Sequence, residues 1–187
     1  MLIVNKMNQL DNDFYPKYLI LQHVLYAENG QSYKYYVTID VKGPLEDMFY
    51  DALDEKIVLS LVSGYRSFKR QKEIYENSII NNGIKHTEKY IAKPGFSEHQ
   101  TGLAVDISSP SIYSKLINQF GDTKEGKWLK KNCHKYGFIL RYPKGKEKIT
   151  GYSFEPWHLR YVGINIAAEI NKMDTTLEEW MENSKNI

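Results

Sequence analysis

One cysteine, Cys133, is all the chain has, so no internal disulfide can form. That thiol lies in a helical pattern with no cysteine-protease signature around it and is expected to be an inert packed residue. Long apolar runs are also missing: nothing approaches the roughly 20 residues of a membrane-spanning helix. The N-terminal MLIVNKMNQLDNDFYP has a brief apolar run and then Asn, Lys and Asp, which is not the pattern of a signal peptide. A cytoplasmic location is the expectation. Neither sign of charge dominates, with 25 Lys and Arg against 23 Asp and Glu, and that balance argues against a nucleic-acid partner. Lys127, Lys130, Lys131 and Lys135 read as one solvated helix face. There are no repeats and no low-complexity segments.

What is present fits one domain spanning 1–187. A chain of 187 residues buries most of its unfolded surface without a covalent staple. The 15 tyrosines suit either an aromatic groove or a half-wet core. Residues 1–30 read as extended and irregular, within an N-terminal extended segment 1–43. KYYVTIDV (34–41) alternates like a strand, or is a loop leading into a helix that Pro44 opens. KIVLSLVSG (56–64) reads as a buried strand ended by Gly64. SFKRQKEIYENSIINNG (67–83) reads as a helix capped by Ser67 and stopped by Gly83. Short strands are expected at 104–108, 138–142 and 158–162, and a helix at 124–136. Two C-terminal helices fall within 164–187, the second opened by the capping box Thr176-x-x-Glu179. Strands and helices mix without regular alternation. The expected fold is therefore α+β, a small antiparallel sheet flanked by helices.

SEHQTGLAVDIS (97–108) places Asp106 among Leu103, Ala104, Val105 and Ile107. An ionised carboxylate buried there is costly unless it is paired, hydrogen-bonded or bound to a metal. A salt bridge or backbone N–H donors would satisfy it. His99, however, stands seven positions earlier, with Gly102 between, so a turn can bring both side chains to one point. A second cluster is FEPWHLRY (154–161), where Pro156 disfavours helix at Glu155 and makes a bend. In a straight strand Glu155 and His158 would face opposite ways; a bend brings them together. Taken singly, His158 reads as a core histidine and Glu155 as a surface ion pair. Taken together, two histidines and a carboxylate make a catalytic zinc set with one position open. A glutamate beside that position serves as general base. The spacing differs from the helical HExxH pattern, so this is a different scaffold. His23, His86 and His134 lack such surroundings and read as surface or structural.

SEHQTGLAVD matches the SxHxxGxAxD pattern of the D-Ala-D-Ala metallopeptidases, which are grouped with lysostaphin-like and hedgehog domains. EPWHLRY matches their ExWHxRY element, and SGYRSFKRQ their SGYRSxxxQ segment. The three motifs stand in the family's order over a motif core of 63–163. IVNK near the start, YGFILRYPKGKEKITG (136–151) and TLEEW near the end add a resemblance to the VanXY/VanY-type D,D-peptidases of glycopeptide resistance. The resemblance implies that His99, Asp106 and His158 hold one Zn2+ and that Glu155 is the catalytic base. It implies that Arg66 faces the scissile carbonyl, and that Ser97, Gln71 and Tyr152 bind substrate while Trp157 shapes the pocket wall.

The reaction so implied is hydrolysis of the terminal bond of D-Ala-D-Ala, or of a peptidoglycan precursor ending in it, with release of D-alanine. An L,D-carboxypeptidase trimming tetrapeptide stems shares every one of these motifs. A zinc-stabilised peptide-binding domain without activity is a third reading, but metal binding alone needs neither Glu155 nor Arg66. Segments 84–96 and 109–126 are expected to form the walls of the cleft.

Overall fold

Alternation in one short strand organises the molecule. In AVDIS, the odd positions Val105 and Ile107 enter the main apolar core, and Asp106 points to the opposite face of the sheet. The computed structural model describes residues 2–11, 13–27 and 32–184. In chain order the elements are β1 (Leu19–Ile20), β2 (Val37–Thr38), α1 (Ile39–Asp54), β3 (Ser60–Ser63), α2 (Phe68–Asn82), α3 (Ile84–Tyr90), β4 (Ala104–Ser108), α4 (Lys124–Asn132), β5 (Phe138–Tyr142), α5 (Glu147–Thr150), β6 (Glu155–Tyr161), α6 (Ile164–Met173) and α7 (Leu177–Ser184). The main sheet runs β3-β4-β6-β5, antiparallel throughout, and β1 pairs with β2 in a separate ribbon. This is the expected α+β arrangement with a small antiparallel sheet.

Helix α1 covers one face of the sheet. Its Val41, Leu45, Met48, Phe49 and Ala52 pack with Leu61 of β3, Phe138 of β5, Leu159 of β6 and Leu129 of α4. A smaller cluster joins Ile139, on the other face, to Ala167 and Ile170 of α6 and Leu177 of α7. Cys133 is buried in the main core, and its thiol is pushed up to about 12 by that burial, as fits an inert packed residue. Among the described residues no helix is long and apolar enough to cross a membrane.

Several boundaries differ from the sequence reading. Segment 34–41 combines the two alternatives: a 3-10 turn ends at Tyr35, a two-residue strand follows at Val37–Thr38, and helix begins at Ile39. Pro44 lies inside α1 and does not open it. As the sixth residue of the helix, Pro44 forgoes the bond an N–H there would make to the Asp40 carbonyl. Strand β3 begins at Ser60, because Lys56 turns the chain in a left-handed conformation (φ 61°) and Ile57 N–H closes onto Ala52 C=O. Strand β6 begins at Glu155 and contains Pro156. Between the pairs Tyr142↔Glu155 and Leu140↔Leu159, β6 takes four steps where β5 takes two. Pro156 falls in that surplus and interrupts no ladder bond. Helix α3 was not expected at all. A single residue, Gly83 at φ 77°, both ends α2 and starts α3.

The expected caps are present. Ser67 Oγ accepts from Arg70 N–H. Thr176 N–H donates to Glu179 Oε2 at 2.8 Å, while Glu179 N–H donates back to Thr176 Oγ1 at 3.2 Å.

Candidate active site

Asp106 and His158 are register partners across β4 and β6, on the sheet face away from α1. His99 reaches them from a short 3-10 turn, Glu98–Thr101, that ends at Gly102. Gly102 adopts φ 69°, and a Cβ there would lie 2.9 Å from Thr38 Cγ2 and 3.1 Å from Leu19 Cδ2. Both facts demand glycine at this step of the motif. The turn is tied to the end of β3, because Arg66 N–H donates to the His99 carbonyl at 3.0 Å.

The Asp106 carboxylate stands between the two imidazoles. His99 Nε2 is 3.2 Å from Oδ2, and His158 Nδ1 is 3.1 Å from Oδ1. All three side chains are buried, and their donor atoms lie within 4.8 Å of one another. Each imidazole also has an acceptor behind it. His99 Nδ1 meets the Gly64 carbonyl at 2.7 Å, and His158 Nε2 meets Glu98 Oε2 at 3.4 Å. A carbonyl and a carboxylate only accept, so both of these ring nitrogens donate, while the opposite nitrogens, His99 Nε2 and His158 Nδ1, face Asp106 and the shared point. That donor set fits a divalent metal ion of the zinc type.

Electrostatics agree with the geometry. Burial raises the Asp106 carboxyl, but His99 and His158 overcome this and hold it well below the usual carboxylate range. Burial lowers His158, but its bonds to Asp106 and Glu98 carry it up to about 9. Asp106 therefore draws both imidazoles toward itself, while the two rings oppose each other's charge.

Glu155 sits 3.9 Å from His158 Nδ1. Burial pushes its carboxyl up to about 8, with Asp106 adding to the rise and His158 and Arg66 opposing it. The two-residue surplus in β6 is what lets Glu155 and His158 share one face. Arg66 places Nη2 at 3.6 Å from Asp106 Oδ2. Its Nη1 donates to Gln71 Oε1 at 3.0 Å, and Gln71 Nε2 donates to Ala92 C=O at 2.7 Å. Gln71 is thus committed on both sides, holding Arg66 against the α3 side of the cleft. Ser97 makes no side-chain cap bond and lines the cleft. Tyr152 is buried with its hydroxyl unpartnered among the described residues, and Trp157 forms a wall.

The cleft has a volume of about 340 Å³. Tyr90, Ile91, Ala92 and Leu116 line it, so both segments expected to be walls contribute. A second trough of about 660 Å³ adjoins it, sharing Arg66, Ile74, Asp106 and Leu116 in its lining. A larger depression, about 800 Å³, contains none of the three donors. Three groups escaped the sequence reading. Tyr142 stacks 4.9 Å from the His158 ring. Glu98 and the arginines Arg141 and Arg160 form a buried charge cluster behind His158. Charged residues in two apolar strands, FILRY and HLRY, were the available signal.

Residues 34–164 match the sequence family described as VanY: D-alanyl-D-alanine carboxypeptidase. The chain belongs to this family. It is 45% identical to the putative carboxypeptidase YodJ of Bacillus subtilis, over 99% of this chain and 68% of that protein. Among solved structures, the LdcB LD-carboxypeptidase overlays with a TM-score of 0.90 at 46% identity, covering 96% of this chain and 84% of that one. The vancomycin-resistance D,D-pentapeptidase VanY, in complex with Zn(II), overlays with a TM-score of 0.79 at 33% identity, covering 96% and 97%. The VanY-family match spans the residues of all three motifs, from Ser63 to Tyr161.

Proposed function

We propose that the protein is a zinc carboxypeptidase that removes the C-terminal D-alanine from a peptidoglycan stem peptide. The observation that carries this reading is the convergence of His99, Asp106 and His158 with Glu155 and Arg66 at one open cleft. Zinc held by the three donors would polarise the scissile carbonyl and lower the pKa of a water to roughly 7.

Glu155 takes the proton of the attacking water and delivers it to the nitrogen of the departing D-alanine as the C–N bond breaks. Burial makes the Glu155 carboxylate a stronger base than an exposed one, as abstraction of that proton requires. Arg66 is held in place by Gln71 and Ser63, and offers a fixed positive charge where the oxyanion grows. The Ser97 and Tyr152 hydroxyls remain for the substrate.

Two features refine the substrate. A dipeptidase needs its cleft closed beyond the second residue, and the second trough adjoining Arg66 offers room for a longer peptide. The greater likeness to the LD-carboxypeptidase supports a tetrapeptide, in which an L-centre precedes the terminal D-alanine. The D,D reading, with its place in glycopeptide resistance, is supported by the family match and by the VanY overlay. D-Alanine release from tetrapeptide, pentapeptide and D-Ala-D-Ala by the zinc-loaded protein separates them. The expected result is a kcat/KM at least tenfold higher on the tetrapeptide, about 1.4 kcal/mol of discrimination, with the dipeptide poorest. Preferred cleavage of the pentapeptide or dipeptide would restore the D,D assignment. No release from any of the three would overturn the peptidase reading.

A further inference from the structure

The two imidazoles at the cleft are held from behind by unlike partners. His99 rests on the neutral Gly64 carbonyl, whereas His158 rests on the Glu98 carboxylate. Glu98 is only 1% exposed. Its Oε1 accepts from Arg141 Nε at 2.8 Å and from Arg160 Nη1 at 3.0 Å. The remaining guanidinium nitrogens are also occupied. Arg141 donates twice to Glu178, at 2.8 and 2.6 Å, and Arg160 Nη2 donates to Leu2 C=O at 2.6 Å. Glu178 in turn accepts from Asn5 Nδ2 at 3.0 Å. The chain of contacts therefore runs from α7 and the N-terminal segment through two arginines to one carboxylate, and from that carboxylate to one imidazole.

Fully buried ion pairs are a poor source of stability, because apolar side chains of similar volume do as well or better. The cluster has a different rationale in the ring it touches. A neutral imidazole carries one proton, and a carboxylate that cannot move or accept elsewhere fixes that proton on Nε2. When a metal ion displaces the other proton, the lone pair is then on Nδ1, the nitrogen beside Asp106 at the shared point. An anion behind the ring also makes Nδ1 a stronger donor than a neutral carbonyl would.

We propose that Glu98 is the positioning residue of the metal centre, holding His158 by Nε2 so that Nδ1 is presented to the ion. This rests on the zinc reading of the three donors. Arg141 and Arg160 fix Glu98, and Glu178 fixes Arg141, so α7 acts on the site through them.

The test is the zinc affinity of Glu98→Gln, measured by chelator competition, together with the visible spectrum of the cobalt-substituted protein. The amide keeps the shape and removes the charge. The expected result is zinc binding weakened about 10- to 100-fold, with an altered cobalt spectrum. A folded variant with zinc affinity within about threefold of wild type and an unchanged spectrum would overturn the proposal, leaving Glu98 as a partner of the arginines alone. If the variant does not fold, the wild type decides. Ring nitrogen–proton correlation spectra of the zinc-loaded protein should show His158 protonated on Nε2, with that proton slow to exchange. A proton on Nδ1 would overturn the proposal. Wild-type protein that binds no zinc would overturn the zinc reading and this inference together, whereas tight wild-type binding with an unchanged Glu98→Gln overturns this inference only.

Discussion

Two glutamates flank the His158 ring, at 3.4 Å and 3.9 Å, and their properties are opposite. Both are buried. Glu98 is surrounded by donors: burial raises it, but Arg141 and Arg160 overcome that and hold it well below the usual carboxylate range. Glu155 receives no hydrogen bond among the described residues, and burial takes it up to about 8. Depth alone therefore decides neither role. A carboxylate with two fixed cations cannot exchange a proton near neutrality and is suited to holding a ligand. A carboxylate without donors is suited to moving one.

The sharpest way to test that division is Glu155→Gln. Turnover is expected to fall at least about 10³-fold while zinc content, read by metal analysis, stays at wild type. A variant that loses its zinc as well would move Glu155 from proton transfer to metal binding. On the other side of the ring, Arg141→Met leaves Glu98 and Glu178 short of a cation. Stability in urea is expected to fall by about 3–5 kcal/mol, as for other buried pairs broken on one side.

A pH series sharpens the comparison further. Glu155 titrates near 8 in the folded metal-free protein, above its ordinary 4.5, so its contribution to stability is fully present below about pH 4.5 and is lost as pH rises through about 8. Glu155→Gln removes that loss. The melting temperature of the metal-free variant, relative to wild type, should rise between about pH 5 and about pH 8 by a few degrees. A gap independent of pH would mean that Glu155 is not the group responsible.

The smallest effects are expected far from the ring. Thr176→Ala removes one half of the α7 capping box and should cost about 1 kcal/mol. Lys146→Ala breaks a pair with Glu179 whose side chains are 31% and 30% exposed, and should cost less than about 1 kcal/mol in the same urea measurement.

How far the sequence revealed this arrangement depended on whether the signal was local. Ser67, Gly83, Thr176 and Glu179 act within a few residues of themselves, and their caps were readable. AVDIS and FILRY were readable as strands from alternation and apolar content. The candidate donors were readable because the motif glycine and the Asp106 burial conflict stand close together in the chain. Helix α3 was not, since its first residues, Ile84 and Lys85, follow a glycine that reads as a stop. The partners of Glu98 were not either: Arg141 and Arg160 meet it from 43 and 62 positions away, and no local pattern announces such a contact. The early start of β6 was hidden by Pro156, whose place in the surplus of β6 over β5 is a matter of register between strands.

The pairing of Asp106 with His158 also sets an order in time. These residues are 52 positions apart, and the three donors converge only after β4 and β6 have found each other. Closing the loop between them costs entropy before the contact rewards it, so the pairing is slow to form. The unfolded chain offers no assembled set of donors, and an ion that binds only the paired strands adds about 2.7 kcal/mol when free metal stands a hundredfold above its dissociation constant. Metal supply therefore sets how far the folded state is favoured over the unfolded chain.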